Sequence, residues 1–287
     1  MYKDIFGKTR LKLGLHLHTT ISDGRKSPEM AATLYRSAGF DAVAFTDHWV
    51  AGESREVCGL PVIAGCEYNV GANDASEGIY HILGLFMAKK PFIMRGATPQ
   101  EMIDKIHDAG GIAILAHPAW SLNTPEKIMK LRRLDGIEIY NSVSGVGYNR
   151  RPDSSLIIDT LAANGYVCPL VAADDSHDYG DECGMSYIML ECDSLEREAM
   201  LAAYRAGRFY STQGPEIHLR RLGDTFRVDC TAAREIGFMS NLCFVPRIFT
   251  GDALTEAVYR PRQNEKFIRA YVVDKDGKMA WSNIITI

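Results

Sequence analysis

Between residue 11 and about residue 213, short apolar runs alternate with segments of helical pattern; after Gly214-Pro215 that alternation stops. Such a chain buries its strands against amphipathic helices, which argues a parallel sheet with helical crossovers. "LKLGLHLH", "AVAFTDH", "PVIAGCEY" and "YHILGLFM" read as the first four strands, and "IAILAHP", "GIEIY", "VCPLVAADD" and "MSYIMLE" as the later ones. Ser27-Pro28-Glu29 opens a helix with a cap, a first-turn proline and an acid, and Gly39 ends it. Thr98-Pro99-Gln100-Glu101 has capping-box spacing and opens a helix that runs to Gly110-Gly111. Thr124-Pro125-Glu126 starts another, residues 154 to 164 form a helix stopped by Gly165, and a last helix of about 195 to 206 ends at Gly207.

Seven or eight strands over this length suggest an α/β fold, a distorted (β/α)7-type TIM-like barrel over residues 1–213. An open doubly wound sheet is the alternative. Residues 214–287 carry short alternating runs with turn signals between them, including Asp276-Gly277, and read as a small all-β, sandwich-like appendage.

The 46% hydrophobic and 24% charged residues are those of an ordinary globular protein. A net charge of -4 gives no electrostatic case for a long nucleic acid. Seven cysteines without a C-x-x-C pair argue against a zinc ribbon or a disulfide framework. No 18-residue apolar run occurs, and "MYKDIFGKTR" lacks a signal-peptide core. The expectation is a cytoplasmic protein with no membrane partner.

Six of the eight histidines, His16, His18, His48, His81, His117 and His177, fall at or near strand ends. Asp23, Glu67 and Asp175 fall beside them. Functional side chains of (β/α) barrels gather at the carboxyl ends of strands. Residues i and i+2 of a strand point the same way, so H-x-H and D-x-H each offer two side chains to one cavity. Imidazole and carboxylate are ligands for borderline divalent metals. Two such ions, about 3.5–4 Å apart, can activate a water between them and clamp a displacement at phosphorus.

"HLHTTISDG", "FTDH", "GCEY", "HILGL", "ILAHP" and "AADDSH" resemble, in order, the motifs of the PHP (polymerase and histidinol phosphatase) family. "AGRFYSTQGPEI" and "VVDKDGKMAWSN" resemble a branch of metal-dependent phosphoesterases with a β appendage, some members of which are amide or carbamate hydrolases. The resemblance implies two or three divalent ions, drawn from zinc, manganese or iron. His16, His18, Glu67 and Asp175 would hold the first; Glu67 would bridge to a second held by His81 and His117; Asp23, His48 and His177 would hold the third. Asp175, Glu67 and His177 are the catalytic candidates.

The activity expected is metal-dependent hydrolysis of a small phosphate ester, such as a nucleotide or sugar phosphate, by metal-activated water. Hydrolysis of an amide, carbamate or lactone by the same cluster is the alternative, and a non-catalytic metal-binding module a third reading. Arg150, Arg151, Arg25 and Lys26 are candidates for phosphate binding or ordinary loop cations. Asp47 and Asp174 either accept histidine N–H groups or cap strand ends. Glu138 either faces the barrel mouth or is a satisfied interior carboxylate. Cys66 points away from Glu67, His107 reads as structural, and His218 as a surface residue.

Overall fold

In the computed structural model, residues 1–71, 78–146 and 150–287 are described. The strands are β1 (Tyr2–Lys3), β2 (Thr9–Gly14), β3 (Ala42–Ala44), β4 (Arg55–Val57), β5 (Leu60–Ile63), β6 (Gly65–Val70), β7 (Tyr80–Leu85), β8 (Ile112–Leu115), β9 (Gly136–Asn141), β10 (Leu170–Ala173), β11 (Tyr187–Glu191), β12 (Phe209–Thr212), β13 (Ile217–Leu222), β14 (Thr225–Met239), β15 (Ile248–Tyr259), β16 (Phe267–Val273), β17 (Met279–Trp281) and β18 (Ile285–Thr286). The helices are α1 (Pro28–Ser37), α2 (Pro99–Asp108), α3 (Pro125–Ile128), α4 (Ser155–Ala163) and α5 (Arg197–Arg205).

The helices begin where the local chemistry asks. Ser27 Oγ accepts the Met30 N–H of α1. Thr98 and Glu101 close a reciprocal capping box on α2. Ala31, Ala32 and Tyr35 of α1 are buried, and Met102, Ile103 and Ile106 of α2 lie under the second sheet.

The strands form two sheets. One runs β13-β14-β16-β17-β12-β11-β2-β3-β5-β4, with β1 on β2, β15 on β14 and β18 on β16; the other runs β10-β9-β8-β7-β6. The interior between them is filled by Leu11, Leu13 and Leu15 from one sheet and Leu83, Leu85, Ile112, Ile114 and Val171 from the other. Isolated parallel bridges, Leu17 to Ser176 beyond the ends of β2 and β10 and His48 to Glu67 of β6, tie the two sheets together.

The strands that alternate with helices fall in two sheets of a mixed α/β fold. Two expectations are corrected. First, "PVIAGCEY" is two strands: the chain leaves the first sheet as β5 and enters the second as β6. Gly65 permits the crossing, because a Cβ there would stand 2.7 Å from the Phe45 carbonyl oxygen. Second, the sheets are not uniformly parallel. The β2–β3, β3–β5, β8–β9 and β9–β10 pairs are parallel, whereas β6–β7, β7–β8 and β2–β11 are antiparallel. Residues 71–79 between β6 and β7 are too few for a crossover, which needs about a dozen, so these strands pair as a hairpin.

Residues 214–287 contribute strands β13–β18, and β17 pairs with β12, so these strands extend the first sheet. Arg269 of β16, 2% exposed, donates from Nε and Nη2 to the two oxygens of Asp159 of α4, each at 2.7 Å. His218 is not a free surface residue: its ring stacks on Phe6 at 3.8 Å, beside Arg10 and Asp4. No helix among the described residues is long and apolar enough to cross a membrane.

Removing one partner of a buried pair strands the other charge. Asp159→Ala is therefore expected to lower stability by about 3 kcal/mol in equilibrium denaturant unfolding. An unchanged midpoint would mean that water replaces Asp159 at no cost.

Candidate metal centre

Both sheets end at one cavity of about 390 Å³, lined by Asp23, His48, Glu67, His81, His117, Asp175 and His177 among others. His16 and His18 follow β2, His48 follows β3, His117 follows β8, and Asp175 and His177 follow β10. Glu67 and His81 come from the β6–β7 hairpin, whose register sets Glu67 opposite Leu83 and His81 opposite Asn69. They are diagonal neighbours on one face, which brings His81 Nδ1 to 2.7 Å from Glu67 Oε1. His117 and Asp175 have φ of 29° and 55°, in the left-handed region that non-glycine residues seldom adopt. Such strain gathers at functional sites, where surrounding contacts hold it.

Two carboxylates organise the floor. Glu67 Oε2 stands 2.9 Å from His18 Nε2 and 3.2 Å from His16 Nε2, while its Oε1 faces His81 and, at 3.4 Å, His117 Nε2. Asp175 Oδ1 stands 3.0 Å from His16 Nε2 and 3.1 Å from His18 Nε2. At the mouth, Asp23 Oδ2 stands 3.4 Å from His177 Nε2 and 3.6 Å from His48 Nε2. His16 and His18 are fully buried and Asp23 is half-exposed, so the cluster grades from a dry floor to a wet rim.

Among the described residues, three groups have ligand atoms close enough to share an ion: His16, His18, Glu67 and Asp175; His48, Glu67 and His81; and His18, Asp23, His48 and His177. The first is the set the resemblance implies. In the second, His48 joins Glu67 and His81, while His117 faces both Glu67 and, at 3.7 Å, Asp175. The third adds His18 to the implied Asp23, His48 and His177. A neutral imidazole has one lone pair, so His18 can ligate on one side only. With Nε2 toward Glu67 and Asp175, its Nδ1 is left to donate to Asp23 Oδ1 at 3.3 Å.

The donor set fits divalent cations. Asp175 Oδ1 and His48 Nδ1 are buried atoms that face ligand-type atoms of the cluster without a well-aligned hydrogen bond from any described residue. Glu67, Asp175 and Glu138 are buried carboxylates, and no lysine or arginine pairs with them among the described residues. His16, His117 and His177 turn Nδ1 outward, to Glu138 Oε1 at 2.7 Å, Ser121 Oγ at 3.1 Å and the Asp175 carbonyl at 2.8 Å. This leaves their Nε2 atoms facing the cavity, the tautomer a metal requires.

The remaining candidates separate. Arg25 lines the cavity, with Nε 2.6 Å from Asp178 Oδ1. Arg150 lines a different cavity, with Gln213 and Asp181, and Arg151 is exposed. Asp47 accepts from Thr19 and Ser22, and Asp174 from Tyr35, Ser142 and three backbone N–H groups, Gly184 to Ser186. Both anchor loops rather than histidine rings. Cys66 lies on the opposite face from Glu67, near the Asp47 carbonyl, and His107 bonds Asp135. Trp120 was not anticipated: it lines the cavity and sets its ring edgewise to His117 and His81, with centroids at 5.0 and 5.7 Å. Its one sequence signal is its place three residues after His117.

No family model matches the chain. An uncharacterized protein of Methanocaldococcus jannaschii is 31% identical over 146 residues, which cover 46% of this chain and 82% of the relative. A two-domain protein of Bacteroides vulgatus, containing a predicted PHP-like metal-dependent phosphoesterase, matches in structure with a TM-score of 0.56 at 14% identity, over 100% of this chain and 97% of that one. This is a likeness of fold. An amidohydrolase of Chromobacterium violaceum, with bound sulfate and no metal, matches with a TM-score of 0.47 at 15% identity, over 69% of this chain and 96% of that one.

Burial alone would lower the pKa of His16 and His18, but the carboxylates of Asp175 and Glu67 outweigh it and hold both well above the usual histidine range. Protons and cations therefore compete for the same nitrogens. Because both pKa values are raised, His16 and His18 hold their protons more tightly, and a cation must displace those protons to bind. Apparent affinity for Mn²⁺ or Zn²⁺ is expected to rise about tenfold per pH unit for each proton displaced. Calorimetry in buffers of different ionisation enthalpy counts those protons; binding without proton release would contradict this ordering.

Proposed function

The chain belongs to one family with the Methanocaldococcus jannaschii protein and has the PHP-like fold, and from that premise we propose that it is a metal-dependent hydrolase acting on a small phosphate ester. The observation that carries this reading is the convergence of six histidines and three carboxylates in one cluster, with His48, His81, His117 and His177 lining the cavity and His16 and His18 buried beneath it. His16, His18, Glu67 and Asp175 would hold one ion. Glu67, with one oxygen toward His16 and His18 and the other toward His81 and His117, would bridge to a second. Asp23, His48 and His177 would hold a third. Bound zinc, manganese or iron would supply charge neutralisation and water activation.

The chain's own residues supply the rest. The buried floor of His16, His18, Glu67 and Asp175 excludes bulk water and strengthens electrostatic interactions there. When it is not ligating, His177, at the rim and 3.4 Å from Asp23, would hand a proton to a departing alkoxide. Arg25 is the one lysine or arginine lining the cavity among its described residues; it would hold a phosphate oxygen after releasing Asp178. Trp120 and Val143 give the cavity an apolar wall, and its volume suits a small molecule.

That wall, and the engagement of Arg25 by Asp178, also favour a second reading: hydrolysis of an amide, carbamate or lactone. The deciding assay is inorganic phosphate release by manganese- and zinc-loaded protein across phosphomonoesters, nucleoside bisphosphates and, with product separation, cyclic nucleotides. Turnover of one group, reduced more than about 100-fold in Asp175→Ala, is the expected result. Silence across the panel with metal demonstrably bound would overturn the phosphoesterase and favour the acyl substrate.

A further inference from the structure

Glu138 belongs to none of the three ligand groups, yet it is fully buried at the centre of the site. It lies on β9, a strand that contributes no ligand to those groups. Its Oε1 accepts His16 Nδ1–H at 2.7 Å. Its Oε2 accepts the His117 backbone N–H at 2.8 Å and Asn141 Nδ2–H at 2.9 Å. Three donors converge on it, so the group is matched to an acceptor-only carboxylate.

Each bond acts on a different candidate ligand. The first commits the His16 proton to Nδ1 and leaves the Nε2 lone pair facing Glu67 and Asp175. The second ties down the backbone of His117 at its positive φ. The third works through Asn141. The N–H and Oγ of Ser144 both donate to Asn141 Oδ1, at 3.1 and 2.7 Å, which fixes the amide's orientation. Asn141 Nδ2 then donates to Glu138 and, at 3.2 Å, to Asp175 Oδ2. Ser144 itself lines the cavity, so the substrate wall joins the same network.

The geometry points to Glu138 as a positioning residue of the metal centre, setting the His16 tautomer and, through Asn141, the Asp175 carboxylate. This rests on the reading of the cluster as a metal site. Affinity for the ion held by His16, His18, Glu67 and Asp175 then depends on a side chain that does not touch it. Carboxylates bonded to ligating histidines commonly carry such a dependence.

The test measures Mn²⁺ and Zn²⁺ affinity of the full chain by competition with a chromophoric chelator, and thermal unfolding with and without metal. Glu138→Gln keeps the shape but turns an NH₂ group toward a donor. It is expected to weaken the tightest site by about 10- to 100-fold and to shrink the metal-induced rise in Tm. Any lost turnover should return as free metal is raised, which a merely structural defect would not allow. Asn141→Ala, the second variant, should weaken the same site by a smaller factor and decides the matter if Glu138→Gln does not fold. Wild-type affinity in Glu138→Gln, or in Asn141→Ala when it alone folds, overturns the inference. Equal losses of Tm with and without metal at unchanged affinity also overturn it. A wild-type chain that binds neither cation overturns instead the metal-site reading on which it stands.

Discussion

Three carboxylates, Glu67, Glu138 and Asp175, share a dry interior in which, among the described residues, imidazoles and neutral donors answer them. Buried negative charge at this density is costly without cations. Protons on His16 and His18 can supply positive charge in the metal-free chain; divalent ions can supply more of it. Much of the local architecture follows from that need. Histidines arrive from several strand ends, the Nδ1 atoms of His16, His117 and His177 turn outward to secondary acceptors, and Arg25 stays at the rim.

The fold meets this need by splitting its strands between two sheets. Gly65 lets one apolar run leave the first sheet and enter the second, and the antiparallel hairpin then delivers Glu67 and His81 together. A purely parallel arrangement would have needed a crossover between them. The bridges from Leu17 to Ser176 and from His48 to Glu67 draw the two sheet ends together where the ligand residues lie. The interior leucines and isoleucines beneath them form a packed floor, and close packing resists displacement of the groups above it.

Much of this was legible along the chain because its causes are local. A capping serine or threonine, a first-turn proline and a terminal glycine act within one helical turn, so α1 and α2 start and stop where Ser27, Gly39, Thr98 and Gly110 indicate. The histidines and their neighbouring acids could be placed near strand ends for the same reason. What could not be read there depends on approach between distant segments. Asp47 and Asp174 were open between two roles until their donors were in place. Arg150 was expected at the same mouth as Arg25, but the two line different cavities. Trp120 carried no pattern of its own.

By itself the sequence determined which chemistry was available: imidazoles and carboxylates of the right kinds, spaced by short-range alternation so that several fall at strand ends. It also determined the switch to all-β strands after Gly214-Pro215, because period and turn chemistry are properties of a few adjacent residues. Only the tertiary structure decided which ligand atoms face one another, that His18 and His48 stand between neighbouring groups, and that Glu138 reaches His16, His117 and Asn141 at once. Those outcomes depend on approach between separate segments, with His16 and Glu138 122 residues apart, and linear spacing carries no geometry for such an approach.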